Sequence, residues 1–210
     1  MTVAALVLAA GRSSRMGAEN KLLAEVSGRP LVLHAVTAAL ASRATPVVVV
    51  TGHQGAAIAT VLAGAMAEGA LPPGAHRLRI VHNAGFANGI AGSLRTGLAA
   101  LPADAAGALV MLGDMPLVTS TLADRLIASF EAAPDAAAVV PARRGARGNP
   151  VLLARRMFGG VSALDGDHGA RKLLAGRDDV VEIEVADEGI ALDLDTPEAL
   201  AEFRNRQSQA

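Results

Sequence analysis

Apolar residues fall in short continuous runs separated by segments with helical spacing. Val3 to Leu8 is one such run, stopped by Gly11, the pattern of a strand buried on both faces in a parallel sheet. Pro30 to Ala41 then carries apolar residues at helical spacing, with Gly28 before it and Pro46 after it. Val47 to Val50 repeats the buried-strand pattern, Gln54 to Glu68 predicts a second helix, Leu78 to Val81 a third strand and Ala91 to Leu101 a third helix. Ala108 to Leu112 is the fourth strand, and Thr119 to Glu131 predicts a helix after it. Beyond this point the alternation weakens. Ala137 to Val140 and Val151 to Ala154 predict short strands around a polar loop rich in Arg and Gly. Val180 to Val185 and Ile190 to Leu194 predict two more, before a last helix from Pro197. The pattern predicts a single-domain α/β fold with a mostly parallel, doubly wound sheet, right-handed crossovers and helices on both faces. No repeat, low-complexity segment or long linker interrupts the chain, so residues 1–210 are expected to form one domain.

Composition narrows the function classes. A hydrophobic content of 51% is ample for a continuous core. The net charge of −1 supplies no global attraction for nucleic acid or an anionic membrane, so a phosphate ligand requires a local site. The absence of cysteine excludes disulfides, thiolate zinc sites and a cysteine nucleophile. Trp and Tyr are absent and aromatics reach only 2%, which weakens a single-stranded nucleic acid reading. The apolar start lacks a basic leader and continues into Gly-Arg-Ser-Ser-Arg, and no apolar run approaches the ~20 residues that cross a bilayer. A soluble, cytoplasmic protein is expected.

In an open parallel sheet, ligands bind beyond the carboxyl ends of the strands. The loop after the first strand reads Leu8-Ala9-Ala10-Gly11-Arg12-Ser13-Ser14-Arg15-Met16-Gly17, followed by Lys21. Gly11 and Gly17 allow close backbone approach and an anion nest, and Arg12, Arg15 and Lys21 add positive charge. A triphosphate suits such a loop, although a solvated loop accounts equally well for the arginines taken alone. Neither the Walker A pattern nor the dinucleotide Gly-x-Gly-x-x-Gly is present. Gly113-Asp114-Met115-Pro116 places a carboxylate directly after the fourth strand, at the same edge, where it can hold Mg²⁺ or serve only as a turn residue. Asp193-Leu194-Asp195-Thr196-Pro197-Glu198 would set both aspartates on one face of the last strand, while Asp195 or Thr196 also fits a helix N-cap. The segment from Asn83 to Gly97 is too glycine-rich for a plain strand-to-helix connection and could cradle a base or ribose.

Taken in order, these segments resemble the molybdenum cofactor cytidylyltransferases, within the nucleotidyltransferases of glycosyltransferase-A-like (nucleotide-diphospho-sugar transferase-like) fold. The resemblance runs from Val3 to about Phe203. It rests on Leu8 to Gly17 with Asn20-Lys21-Leu22-Leu23, Gly113 to Pro116, Asn149-Pro150-Val151, Gly166 to Arg171, and Asp195 to Glu198. It implies that Ala10, Gly11, Arg12, Ser13, Arg15 and Lys21 hold the triphosphate, and that Asp114 and Asp195 bind magnesium, or manganese in its place. It further implies that Gly89 and Ser93 lie near base and ribose, and that Arg147, Asn149, His168 and Arg171 line the acceptor side. Ala10 resembles the cytidylyl rather than the guanylyl members, which implies CTP. Asn149 stands where members commonly show His. The implied reaction is in-line attack of the molybdopterin phosphate on the α-phosphorus of CTP, with Asp114, Arg15 and Lys21 as the catalytic set. The implied partners are CTP, molybdopterin or molybdenum cofactor, and a recipient molybdoenzyme or its chaperone.

Other readings remain open at this stage: GTP as donor, a sugar or alditol phosphate as acceptor, or a non-catalytic chaperone that carries the finished cofactor. A nicotinamide-dependent oxidoreductase is disfavoured, because Thr51 and Gly52 stand where an acidic residue would meet the ribose.

Overall fold

The computed structural model of the chain describes residues 1–13, 20–192 and 194–207. In chain order its elements are β1 (Val3–Ala9), β2 (Glu25–Val26), β3 (Arg29–Pro30), α1 (Leu31–Ala41), β4 (Val47–Thr51), α2 (Gly55–Ala67), β5 (Leu78–His82) and α3 (Ile90–Ala99). They continue with β6 (Gly107–Leu112), α4 (Ser120–Ala132), β7 (Ala138–Arg143), β8 (Ala146–Arg147), β9 (Val151–Ala154), β10 (Val180–Glu184) and α5 (Pro197–Gln207). Among the described residues the main sheet has eight strands in the order β10-β7-β9-β6-β1-β4-β5, with β8 paired to β7. β1 pairs in parallel with β4 and β6, β4 with β5, and β7 with β10. β9 runs antiparallel to β6 and β7. From β1 the chain moves outward to β4 and β5, then returns to place β6 on the other side of β1. A crevice for ligand opens where the direction reverses, at the carboxyl edge of β1 and β6.

The valine runs form strands because both faces of the central sheet are covered. Val3, Ala5, Val7 and Ala9 of β1, with Val47 and Val49 of β4, pack under the buried residues of α1, α2 and α4. Leu6 and Leu8, with Val48 and Val50, pack on the opposite face against α3 and the 3-10 segment Arg155–Ala163. Each such aliphatic side chain contributes about 1.5–3 kcal/mol by leaving water. α3 lies especially close to the sheet: a Cβ on Gly97 would come within 2.3 Å of Leu6 Cδ2 and 2.8 Å of Val50 Cγ2. α4 starts where the sequence predicts, because the Thr119 side chain accepts from the Leu122 N–H. No helix among the described residues is long and apolar enough to cross a membrane.

One predicted element is corrected. Ile190 to Leu194 is not a strand: a 3-10 turn covers Glu188–Ile190, capped by Asp187, whose Oδ1 accepts from Gly189 N at 2.7 Å. Its Ile190 O accepts from Asn149 N at 2.9 Å, and among the described residues the segment joins no ladder. Its apolar side chains are buried individually, Ile190 in the main core and Leu194 against Leu200 and Phe203 of α5.

Candidate active site

The loop after β1 is pinned at both of its described ends. Ser13 Oγ accepts from the Lys21 N–H at 3.2 Å and donates to Asn20 Oδ1 at 3.4 Å. Asn20, 4% exposed, also accepts from the Leu22 N–H at 3.0 Å and donates to the His53 carbonyl at 3.3 Å, tying the loop's return to the end of β4. Ala10 is buried, whereas Gly11 and Arg12 are exposed on the cleft. Arg15 falls outside the described residues, as does Asp193.

The register of β1 against β6 sets Leu8 opposite Leu112, and Gly113 N donates to Leu8 O at 2.9 Å, so Asp114 emerges beside Ala10. Lys21 Nζ reaches Asp114 Oδ2 at 2.5 Å and also donates to Asp195 Oδ1. Thr196, not Asp195, caps α5, its Oγ1 accepting from the Ala199 N–H at 3.2 Å. Side-chain exposures of 12% for Lys21, 17% for Asp114 and 31% for Asp195 make this a half-buried ion triad. Burial alone would lower the Lys21 ammonium, but the charges and hydrogen bonds of Asp114 and Asp195 outweigh it and hold the group above its ordinary value of 10.5. Lys21 is therefore a cation throughout the neutral range.

Three adjoining cavities meet around Leu112. The first, about 410 Å³, is lined by Ala10, Gly11, Arg12, Phe86, Gly89, Ser93, Asp114 and Asp167, among others. The second, about 340 Å³, has an apolar floor of Leu8, Val110, Leu112 and Val151 and a rim carrying Asn149, His168, Arg171 and Lys172. The third, about 180 Å³, is bounded by Asp114, Asn149, Arg171 and Asp195 and connects the other two. The residues singled out by sequence that the structure describes thus meet at one carboxyl edge. Ser13 sits behind the cleft as a loop anchor, and Arg147 departs from the group. Arg147 pairs with Glu182 at 2.7 Å and donates to the Leu174 carbonyl at 3.1 Å.

Gly89 is the seam between the first two cavities. Its φ of +95° and ψ of 178° lie in a region that only glycine occupies readily, and a Cβ there would come within 2.2 Å of the Gly166 carbonyl. Ala91 N donates to Gly166 O at 3.1 Å, and Arg95 Nη1 to Leu164 O at 2.5 Å, so the Leu164–Gly166 turn is stitched to the start of α3. Arg95 is a strut here rather than a solvated charge.

The sequence places Asn83 and Phe86 in the candidate base-and-ribose segment and Asp167 in a motif of the resemblance, but gives none of the three a role of its own. Asn83, buried at the end of β5, donates to Ser93 Oγ at 3.0 Å and accepts from Gly85 N at 3.0 Å. Phe86 packs its ring 5.9 Å from that of His53. The available signal was position alone: a buried polar residue ending a strand at the carboxyl edge.

Among the described residues no three His, Asp or Glu side chains form a metal cluster. Two carboxylates sharing one cation match Mg²⁺ or Mn²⁺, which keeps few protein ligands and completes its shell with water and phosphate oxygens. This donor set fits a metal that arrives with a polyphosphate.

The MobA-like NTP transferase domain model matches residues 5–181. Among curated proteins, the bifunctional protein GlmU of Anaeromyxobacter sp. (strain K) is 36% identical over 146 residues, covering 69% of this chain and 26% of GlmU. The chain thus spans about a quarter of the length of that relative. Among solved structures, Rv0371c of Mycobacterium tuberculosis H37Rv is 29% identical, with a TM-score of 0.77 and 98% of each chain covered. Its complex with manganese is 27% identical, with a TM-score of 0.73, covering 98% of this chain and 99% of that one. A mostly parallel sheet with its cleft at the β1–β6 edge, and a family match over most of the length, lead to one conclusion: the chain belongs to the MobA-like NTP transferase domain family.

Proposed function

We propose that this protein is a nucleotidyltransferase that transfers CMP from CTP to the phosphate of molybdopterin and releases pyrophosphate. The observation that carries the reading is the convergence of Lys21, Asp114 and Asp195 where a nucleotide-sized cavity meets a second one. Gly11 and Arg12 offer backbone and charge to the triphosphate, and buried Ala10 is the feature that favours cytidine. The apolar floor of the second cavity suits a flat ring system, while Arg171, Lys172 and His168 suit its phosphate. The reading also draws support from the manganese complex of the Rv0371c relative.

In this reading Asp114 and Asp195 hold a divalent metal, which supplies charge neutralisation on the α-phosphate and the departing pyrophosphate. An oxygen of the acceptor phosphate attacks the α-phosphorus in line, forming a P–O bond as the bond to the bridging oxygen breaks. That phosphate is already ionised at neutral pH, so no general base is needed. Lys21, protonated at neutral pH, neutralises charge on the phosphates, and Arg15 is assigned the same task. Gly89 and Ser93 shape the base and ribose wall, and Asn149 and Arg171 orient the acceptor.

The test is magnesium- or manganese-dependent pyrophosphate release from CTP with purified molybdopterin, run beside GTP and beside sugar and alditol phosphates. Release confined to CTP with molybdopterin is expected. Equal or faster turnover with another acceptor reassigns the second cavity, and molybdopterin binding without turnover makes the protein a carrier.

A further inference from the structure

Lys21 occupies the position that a shared metal ion would take. Its ammonium lies against Asp114 Oδ2 at 2.5 Å and against Asp195 Oδ1. A divalent ion bound by the same oxygens, at about 2.0–2.1 Å for magnesium, leaves no room for that ammonium and repels it. Metal entry therefore requires the lysine to leave.

Leaving is costly without a new anion. The Lys21 side chain is only 12% exposed, and a half-buried ammonium that loses both carboxylates has lost the charges that compensate its desolvation. Its stem is long and flexible, and Gly11 and Arg12 of the same loop line the adjoining first cavity. A triphosphate seated there is an anion within the lysine's reach that lets go of the carboxylates as it takes hold of the phosphates.

We infer that Lys21 is an internal counter-cation that closes the carboxylate pair to metal until a nucleoside triphosphate draws it away, so that metal and triphosphate bind as a linked pair. The inference rests on the reading of Asp114 and Asp195 as metal ligands. It adds that metal affinity is conditional on nucleotide, and by reciprocity that nucleotide affinity is conditional on metal. The enzyme alone then holds divalent ions weakly despite carrying two convergent carboxylates.

The experiment is a Mn²⁺ titration of the protein without nucleotide, followed by the electron paramagnetic resonance signal of free Mn²⁺. Wild type, Lys21→Met, Arg12→Met and the double variant Lys21→Met/Asp114→Asn are compared. Lys21→Met is expected to bind Mn²⁺ about tenfold tighter than wild type, and the double variant to lose that gain. Arg12→Met removes a positive charge from the same cleft without touching the carboxylates, and is expected to follow wild type within about twofold. Equal affinities of wild type and Lys21→Met overturn the inference while leaving the metal site intact. Tightening by Arg12→Met as large as that by Lys21→Met also overturns it, because the effect is then bulk charge and not displacement. If neither wild type nor Lys21→Met takes up Mn²⁺ in this nucleotide-free titration, the assignment of the metal ligands falls, and the inference with it.

Should Lys21→Met fail to fold, wild type carries the test by thermal melting. Mn²⁺ alone is expected to leave the melting temperature within about 1 °C, and Mn²⁺ with CTP to raise it by roughly 2–4 °C or more, above the rise from metal-free CTP. A rise from Mn²⁺ alone equal to that of the pair overturns the inference.

Discussion

The two halves of the sheet hold their parts of the cleft by different means. In the parallel half, β5-β4-β1-β6, much of the cleft wall is backbone and small side chains, Ala10, Gly11, Gly89 and a Ser93 fixed by buried Asn83, with Arg12 and Phe86 beside them. In the other half, where β9 runs against its neighbours and much of the chain is 3-10 turn, the cleft is lined by exposed Asp167, His168, Arg171 and Lys172. Close backbone approach gives a wall whose shape hardly changes, and such a wall suits a ligand that is the same in every turnover. Long exposed side chains give a wall that substitution alters without touching the core. Under the proposed function, the donor would lie against the first half and acceptor choice would be set in the second. Asp114 and Asp195 stand between them, one from each side.

The largest break is expected where both halves depend on one group. Asp114→Ala removes a carboxylate from a strand end that is 17% exposed, so the fold should survive while transfer falls by about 10³-fold or more. Circular dichroism establishes the fold and pyrophosphate release the loss. Near-normal turnover by the folded variant removes the metal role from Asp114. Gly89→Ala comes next, because it strikes the seam. An added Cβ meets the Gly166 carbonyl and must adopt a φ of +95°, which together cost about 1–3 kcal/mol and push the Leu164–Gly166 turn off α3. A fall of about 10²-fold in kcat is expected, with KM rising for both substrates. If KM for only one substrate changes, the two halves are not coupled through this contact.

How the sequence read differs between the same two halves. Val3 to Leu8 and Val47 to Val50 spell out their burial, because a strand covered on both faces has no polar position to interrupt it. The short strands beyond residue 131 are legible as strands, but nothing in a run such as Val151 to Ala154 encodes its direction, and β9 proves antiparallel. Ile190 to Leu194 imitates strand alternation, yet Ile190 O accepts from the Asn149 N–H, a contact that depends on chain distant in sequence. Gly11 and Asp114 were legible as candidates because each follows a strand at the edge where ligands bind. Asn20 and Asn83 were not, since their roles depend on His53 and Ser93, which lie near them only after folding. Thr196 against Asp195 was undecidable from spacing, and the fold resolves it by giving the cap to Thr196 and Asp195 to Lys21.

A paired substitution sharpens the comparison at smaller cost. Arg171→Ala, at an exposed residue on the second and third cavities, should raise KM for the acceptor about tenfold and leave KM for CTP within twofold, as loss of one charge-assisted contact predicts. Ser93→Ala should do the reverse, since Ser93 lines the first cavity and Asn83 loses its partner. Steady-state kinetics with each substrate varied in turn decides the matter, and a crossed result exchanges the two assignments.

The smallest effect concerns pH. Lys21 is held above its ordinary value of 10.5 in the folded chain, so its contribution to stability is complete below the unfolded value and declines only as pH rises through the raised one. Between about pH 7 and 9.5 the lysine is charged in both folded and unfolded chains and contributes no slope. Lys21→Arg keeps the charge at every accessible pH, and its melting temperature should therefore differ from wild type by a constant amount across that window. A gap that widens with pH below 10 means that Lys21 loses its proton within the window. In that case the two carboxylates no longer outweigh its burial, and the ion triad joining the two halves is weaker than its geometry implies.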